Sequence, residues 1–319
     1  MSPSAKIKRY GFLLTPQFSQ LAFASAIEPL RAANRFVPEP IFEWSVLGPN
    51  MDPMSASNGV LTLPDRSIET CGRLDAVVVV GGIGTETYHD PRVFAWLRRQ
   101  ERQGASLIGI SLGSFLLARC GLLDGYRCTL HWQYIAGFRE AFPTVEVTEE
   151  LYEVDRNRMT CSGGTAALDL MLTLIAMEHG RELAMNVAEN FIHDRIRDRH
   201  DPQRMALRTR LNISHPKLLF VIQMMEENLE EPLARSVLAE RAELSTRQLE
   251  RLFRKYLKRT PTRYYLELRL EKARKLLNQT SLSVLDIAMA SGFVSASHFS
   301  KCYREQFHRT PREERLAAP

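Results

Sequence analysis

In the first two-thirds of the chain, the residues best suited to chemistry are Gly109-Ile-Ser-Leu-Gly113. Gly-x-Ser-x-Gly between an apolar strand and a helix is the pattern of a nucleophile elbow, a tight turn that exposes its serine. Ser111 would sit beside a helix start, where backbone N–H groups favour an anion or oxyanion. A serine nucleophile also needs a base, usually a histidine held by a carboxylate. Leu112 follows Ser111, and the candidate bases, His131 and His193, are distant in sequence. Three roles are open for Ser111: hydrogen bonding to a ligand, attack on a substrate, or shaping a turn. Gly81-Gly-Ile-Gly84 follows the apolar run Ala76–Val80. Gly82 would let the backbone approach a ligand, or would serve only a tight turn. Glu28 lies in the mostly apolar stretch 22–30, where a carboxylate is costly to bury alone. One reading aims it at the elbow and a cationic ligand, with Trp132, Trp44 and Tyr88 supplying aromatic faces that attract quaternary ammonium groups. The other pairs it with Arg31 and leaves both tryptophans in the core.

The last third carries a different chemistry. Leu238 to Arg254 resembles Ile287 to Arg304, with Val294 as an extra residue in the second copy, and both copies run on to Arg-Thr-Pro. One supersecondary unit therefore occurs twice. Each copy reads as helix, short turn, helix. Ser245-Thr-Arg-Gln248 fits a capping box opening a helix over 246–257, and Ser283-Val-Leu-Asp286 is a variant box opening one over 284–290. Gly292 can adopt the left-handed turn that follows, and Ser295 can cap the next helix. Glu243 stands at the equivalent turn of the first copy. Leu249, Leu252, Phe253 and Tyr256 fall at i, i+3, i+4 and i+7, a buried stripe. Thr246, Arg247, Gln248 and Arg251 then face outward, as do Ser297, His298, Lys301 and Arg304 in the second copy. Arg and Gln suit bidentate contacts with guanine and adenine edges. A helix over 262–277 between the copies could place them in successive major grooves about 34 Å apart.

These residues need elements to hold them. Runs 10–14, 42–47, 76–80 and 107–110 read as strands, and 22–34, 91–103 and 112–119 as helices. This alternation predicts a parallel-sheet α/β domain. The polar, Arg-dense span 196–215 reads as a linker between a domain over 1–195 and an all-α domain over 216–319.

Charge follows the same division. The chain of 319 residues has net charge +5, of which residues 211–319 carry +6 and the first 210 carry −1. A basic C-terminal domain joined to a near-neutral one fits nucleic-acid binding. No apolar run approaches the roughly 18 residues of a membrane helix, and the first ten lack the apolar stretch of a signal peptide. Five widely spaced cysteines without a CxxC argue against a disulfide framework or zinc site and fit the cytoplasm. No metal or cofactor is implied.

Two resemblances extend this reading. The run Asp286 to Phe307 followed by Arg309-Thr-Pro311 resembles the signature of the AraC family of bacterial transcription regulators, over about 216–315. That implies two helix-turn-helix units binding promoter DNA as one module. The Gly-Gly loop, the elbow, the stretch from Leu116 to Gly125 leading to His131-Trp132, and Cys161-Ser-Gly-Gly-Thr-Ala-Ala-Leu-Asp169 resemble the PfpI branch of the class I glutamine-amidotransferase-like fold. Enzymes of that fold carry Cys at the elbow, often followed by His; here the residues are Ser111 and Leu112. The fusion resembles the GlxA-type branch of the AraC family. Within it, Phe23 to Asn34, Asp124 to Trp132 and Arg195 to Arg204 are similar to regulators of betaine, carnitine and arginine catabolism.

The expectation is thus an α/β parallel-sheet sandwich followed by an all-α double helix-turn-helix domain. Its function would be ligand-responsive regulation of transcription, by default activation of a catabolic operon, without enzymatic activity. The implied partners are promoter double-stranded DNA, a small amine or amino-acid effector held by Glu28, Gly82, Ser111, Leu112 and Trp132, RNA polymerase, and a second copy of the chain. Membranes are not among them. Two alternatives stand beside it: a serine hydrolase or amidase using Ser111, and a constitutive DNA-binding protein whose first domain only dimerises.

Overall fold

The structure is a computed structural model that describes residues 7–316. It divides into two compact units, with the boundary between Gln203 and Arg204.

In the first unit, strands and helices alternate: β1 (Lys8–Leu14), α1 (Gln20–Ala33), β2 (Phe42–Gly48), the short β3 (Met54–Ser55), β4 (Leu61–Thr62) and β5 (Arg66–Ser67), then β6 (Ala76–Val80), α2 (Pro91–Arg102), β7 (Ser106–Ile110) and α3 (Gly113–Arg119). They are followed by β8 (Arg127–Cys128), α4 (Ile135–Ala141), β9 (Glu146–Val147), β10 (Tyr152–Asp155), β11 (Arg158–Cys161), α5 (Ala166–His179) and α6 (Arg181–Asn190). Seven strands form one sheet in the order β10-β11-β7-β6-β1-β2-β5, parallel except where β10 pairs antiparallel with β11. The four predicted strands and three predicted helices are present, with ends shifted by no more than two residues.

The wholly apolar β6 is buried on both faces, as central parallel strands are. Val78 and Val80 join one core with Phe12, Leu14 and residues of α1, α5 and α6. Val77 and Val79 join the other with Leu13 and residues of α2, α3 and α4. This is the period-2 alternation of side chains along a strand. β11 was not foreseen, because it carries a charge indoors. Arg158 is 2% exposed, bonds Leu122 O at 2.7 Å and pairs with Glu101 at 3.0 Å.

The second unit is helical: α7 (Leu207–Leu211), α8 (Pro216–Glu227), α9 (Arg235–Arg241), α10 (Thr246–Leu257), α11 (Pro261–Gln279), α12 (Val284–Ala290), α13 (Ala296–Phe307) and α14 (Pro311–Leu316). Both predicted capping boxes form, at Ser245/Gln248 and Ser283/Asp286. Both Arg-Thr-Pro repeats do the same work. A left-handed residue, Lys258 or His308, ends the helix, and Thr260 or Thr310 accepts the N–H three residues on.

The expected linker over 196–215 is not a free span. Buried Asp169 holds its beginning, accepting from Arg197 N at 2.8 Å, Nε at 2.9 Å and Nη2 at 2.6 Å, with His193 Nε2 at 2.9 Å. Gln203 Nε2 donates to Leu130 O and Glu150 O at 3.1 and 2.8 Å. Its end belongs to the helical unit, where Ile213 is buried and Arg210 pairs with Glu226 at 3.0 Å. Polarity in this span reflects hydrogen bonding to the two units rather than solvation of a tether.

Candidate nucleic-acid interface and elbow site

Leu249 and Phe253 anchor α10 in the core, and Phe299, Cys302 and Tyr303 anchor α13. Thr246, Arg247, Arg251, Ser297, Lys301 and Arg304 are exposed, as the helical period predicts. One expected placement needs correction, and two side chains exposed as expected also make local contacts. Tyr256 is 37% exposed rather than buried; its ring meets His215 edge-on at 5.8 Å. Gln248 is exposed, but its Oε1 accepts Ser245 N–H at 2.7 Å. The cap takes one of the two lone pairs of that oxygen, so a bidentate adenine contact, which needs an acceptor and a donor together, would share it with the cap. His298 is exposed too, yet its Nε2 lies 3.4 Å from Cys302 Sγ and its ring stands edge-on to Phe293 at 5.8 Å. Periodicity assigns a face to a side chain but not its hydrogen bonds.

Sequence reading missed what holds the turns. Glu243 and Gly292 both adopt left-handed φ, 53° and 75°. A cation from a neighbouring helix bonds each carbonyl: Lys217 Nζ to Glu243 O at 3.1 Å, and Arg269 Nη2 to Gly292 O at 2.5 Å. Arg269 also bonds Ser291 O at 2.9 Å and lies over the Phe293 ring at 4.2 Å. Burial lowers its pKa from the ordinary arginine value. No shared spacing signals this, because Lys217 and Arg269 stand at different distances ahead of their turns.

In the first unit the elbow forms. Ser111 has φ +57°, sits at the end of β7, and donates its N–H to Cys161 O at 3.0 Å. Three glycines allow the close packing. A Cβ on Gly81 would lie 2.3 Å from Gly113 N, one on Gly113 2.1 Å from Val79 O, and one on Gly163 2.6 Å from Ser111 Cβ. Ser111 is 8% exposed, and its hydroxyl makes no hydrogen bond among the described residues. The side chain of Leu112 is core, which leaves only its backbone for a ligand. Gly82 is needed for fit: a Cβ there would fall 1.8 Å from Gln17 O, and its N–H already serves Thr85 Oγ1 at 2.9 Å. Trp132 is half-buried against the α2–α4 core, 5.7 Å from the His131 ring.

Glu28 has a partner on its own helix. Its carboxylate pairs with Arg31 at 2.5 Å, and 43% of the side chain is exposed. α1 begins at Gln20, just past the carboxyl end of β1; eight residues carry Glu28 about 12 Å along the helix from there. Trp44 is also displaced. It pairs with Tyr10 in the sheet register, four residues short of the end of β1, and lines a groove of about 690 Å³ with Phe42, Arg66 and Leu74. His193 is held by Asp169, and Tyr88 is half-buried, with its phenol pushed up to about 12 by burial.

Comparison with known proteins brings the two halves together. Residues 8–177 match the DJ-1/PfpI family, and residues 238–317 match a helix-turn-helix domain. The HTH-type transcriptional regulator GbdR of Pseudomonas aeruginosa is 47% identical over 309 residues, covering 97% of this chain and 84% of its own. The HTH-type transcriptional regulator CdhR of the same species is 47% identical over 310 residues, covering 97% and 92%. The chain belongs to the HTH-type transcriptional regulators that join a DJ-1/PfpI domain to an AraC-type helix-turn-helix domain. A crystal structure of an AraC family transcriptional regulator from Pseudomonas putida is similar at 29% identity and TM-score 0.54, covering 58% of this chain and 99% of that one.

Within this regulator the elbow and the exit segment share a strand end. Ser111 N bonds Cys161 O, Ser162 N bonds Leu151 O, and Leu151 N bonds Arg199 O at 2.8 Å. Thr165, next to the Gly163-Gly164 turn, accepts from Arg197 Nη2 at 2.7 Å. Among the described residues no helix is long and apolar enough to cross a membrane, and no acid, cysteine and histidine cluster could hold a metal. All five cysteines are buried and free. Burial pushes the Cys120, Cys128 and Cys161 thiols up to about 12.

Proposed function

We propose that the first domain is a non-catalytic sensor whose effector, a small amine or amino acid, controls promoter binding and activation of a catabolic operon. The carrying observation is an elbow retained without its usual chemistry. Ser111 keeps the strained backbone and an unbonded hydroxyl, Leu112 fills the position where the related enzymes often have histidine, and His193 belongs to Asp169. The ligand site is then Ser111, the backbone of Leu112 and the Trp132 side, with Gly82 shaping the turn and Glu28 outside. The hydrogen-bond path from Ser111 to Arg199 supports coupling, because the chain leaves for the DNA-binding domain five residues later. The regulator acts in the cytoplasm as a homodimer and contacts RNA polymerase at the promoter.

A thermal-shift screen with betaine, carnitine, choline, dimethylglycine, arginine and other amino acids tests this reading. One compound gives saturable stabilisation. Its affinity falls by about two- to tenfold in Ser111→Ala, the worth of one hydrogen bond, and is unchanged in Glu28→Gln. No shift with any compound, with unchanged transcription, would favour a domain that only dimerises. A covalent adduct with an acylating probe, lost in Ser111→Ala, would favour hydrolase chemistry.

A further inference from the structure

The residue that distinguishes the two helix-turn-helix copies in length is Val294, and it is 99% exposed. It stands immediately before Ser295, the N-cap of α13. An apolar residue there ordinarily folds back onto the fourth residue of the helix. The first copy has that arrangement available: Leu244 precedes the cap Ser245 and is half-buried in the same core as Leu249. In the second copy Phe293 takes the inward place, its ring centroid 5.1 Å from that of Phe299. The extra residue is therefore displaced into solvent.

Val294 projects from a rigid turn. Arg269 bonds the carbonyls of Ser291 and Gly292 and covers Phe293. Gly292 is wedged so closely that a Cβ would lie 2.6 Å from Leu229 O and 2.7 Å from Pro232 Cγ. A branched apolar side chain held rigidly in water at the start of a helix gains nothing from the folded domain. Ser295 and Ser297 beside it are short and exposed, so a duplex can come close to the helix start. Recognition helices meet base edges with their N-terminal residues. The apolar group on the major-groove edge of a base pair is the thymine methyl.

We propose that Val294 is a specificity-determining residue of the second helix-turn-helix unit and packs on a thymine methyl group in the major groove. The first unit, with Arg247 and Arg251, reads polar edges; the second reads a methyl through a residue that the first copy lacks.

The test uses the full chain and a duplex selected from a random pool, with each thymine replaced singly by uracil to remove only the methyl. Wild-type protein loses about fourfold in affinity at one thymine, the worth of one buried methyl group. Val294→Ala binds the unmodified duplex correspondingly more weakly and no longer distinguishes uracil from thymine there. Its other base preferences persist. Because the side chain is solvent-exposed, the substitution leaves folding intact, and an unchanged circular dichroism melt checks this. Wild-type indifference to uracil at every thymine would overturn the proposal. So would a Val294→Ala protein that keeps the full uracil penalty.

Discussion

The two helix-turn-helix copies reach one geometry by different means. Both turns need a left-handed residue. The second places Gly292 there, and the first places Glu243, a residue that disfavours the conformation by roughly 1–2 kcal/mol. Both tie that residue's carbonyl to a cation. In the first copy the cation is Lys217, whose side chain is 43% exposed, paired also with the well-exposed Glu243 carboxylate. In the second it is Arg269, half-buried, bonded to two carbonyls and stacked on Phe293. The difference lies in how the turn is held: the first copy uses a solvated lysine, the second a half-buried arginine that clamps the turn from α11. A clamped turn can display an exposed residue such as Val294; a solvated one cannot hold it in register.

Gly292→Ala should show the largest effect. It combines positive φ with contacts to Leu229 O and Pro232 that cannot yield, and should remove about 2–4 kcal/mol. Hydrogen exchange over 284–307 would collapse while that over 235–257 persists. Protection equal to wild type would mean that the turn tolerates a side chain. Arg269→Ala should come next, at about 2 kcal/mol, since charge-assisted bonds to carbonyls are worth about 1.5–3 kcal/mol. Lys217→Ala, on a solvated contact, should cost less than about 1 kcal/mol. Equal losses in the two variants would break the contrast. On DNA, Arg251→Ala should weaken binding by about 1–3 kcal/mol and relax one base preference in the first half-site. An unchanged selection profile would remove Arg251 from base reading. The smallest effect should be a gain. Glu243→Gly relieves the left-handed strain but loses the Lys217 pair and adds unfolded-state entropy, leaving about 0.5 kcal/mol in favour of glycine. A loss of stability would show that Lys217 matters more than backbone strain.

The fold was legible wherever local pattern and tertiary role agreed. The apolar run Ala76–Val80, both serine caps and the Arg-Thr-Pro repeats took the conformations their residue types favour, and the Gly-x-Ser-x-Gly spacing marked the elbow although Ser111 itself is strained. β11 was hidden because Arg158 makes a buried strand look polar. The candidate DNA-reading helices were legible from their apolar stripe. Gln248 and His298 then proved to have local partners, which a period cannot reveal. At the elbow, the turn at Ser111 was legible from Gly-x-Ser-x-Gly, and of the two readings of Glu28 the structure carries the pair with Arg31. A carboxylate in an apolar stretch signals a need for a partner, and Arg31, three residues away, meets it.

By itself the sequence determined the order of elements, the duplication, the caps, and the division between a near-neutral α/β half and a basic helical one. These depend on spacing along the chain and on backbone preferences that each residue carries with it. Tertiary structure alone decided which elements share a neighbour. It gave His193 to Asp169. It drew residues 196–203 onto the first unit, and it turned Val294 outward by letting Phe293 fill the core. Those outcomes depend on distances between residues far apart in sequence and on competition for one partner or one volume, which no local pattern encodes.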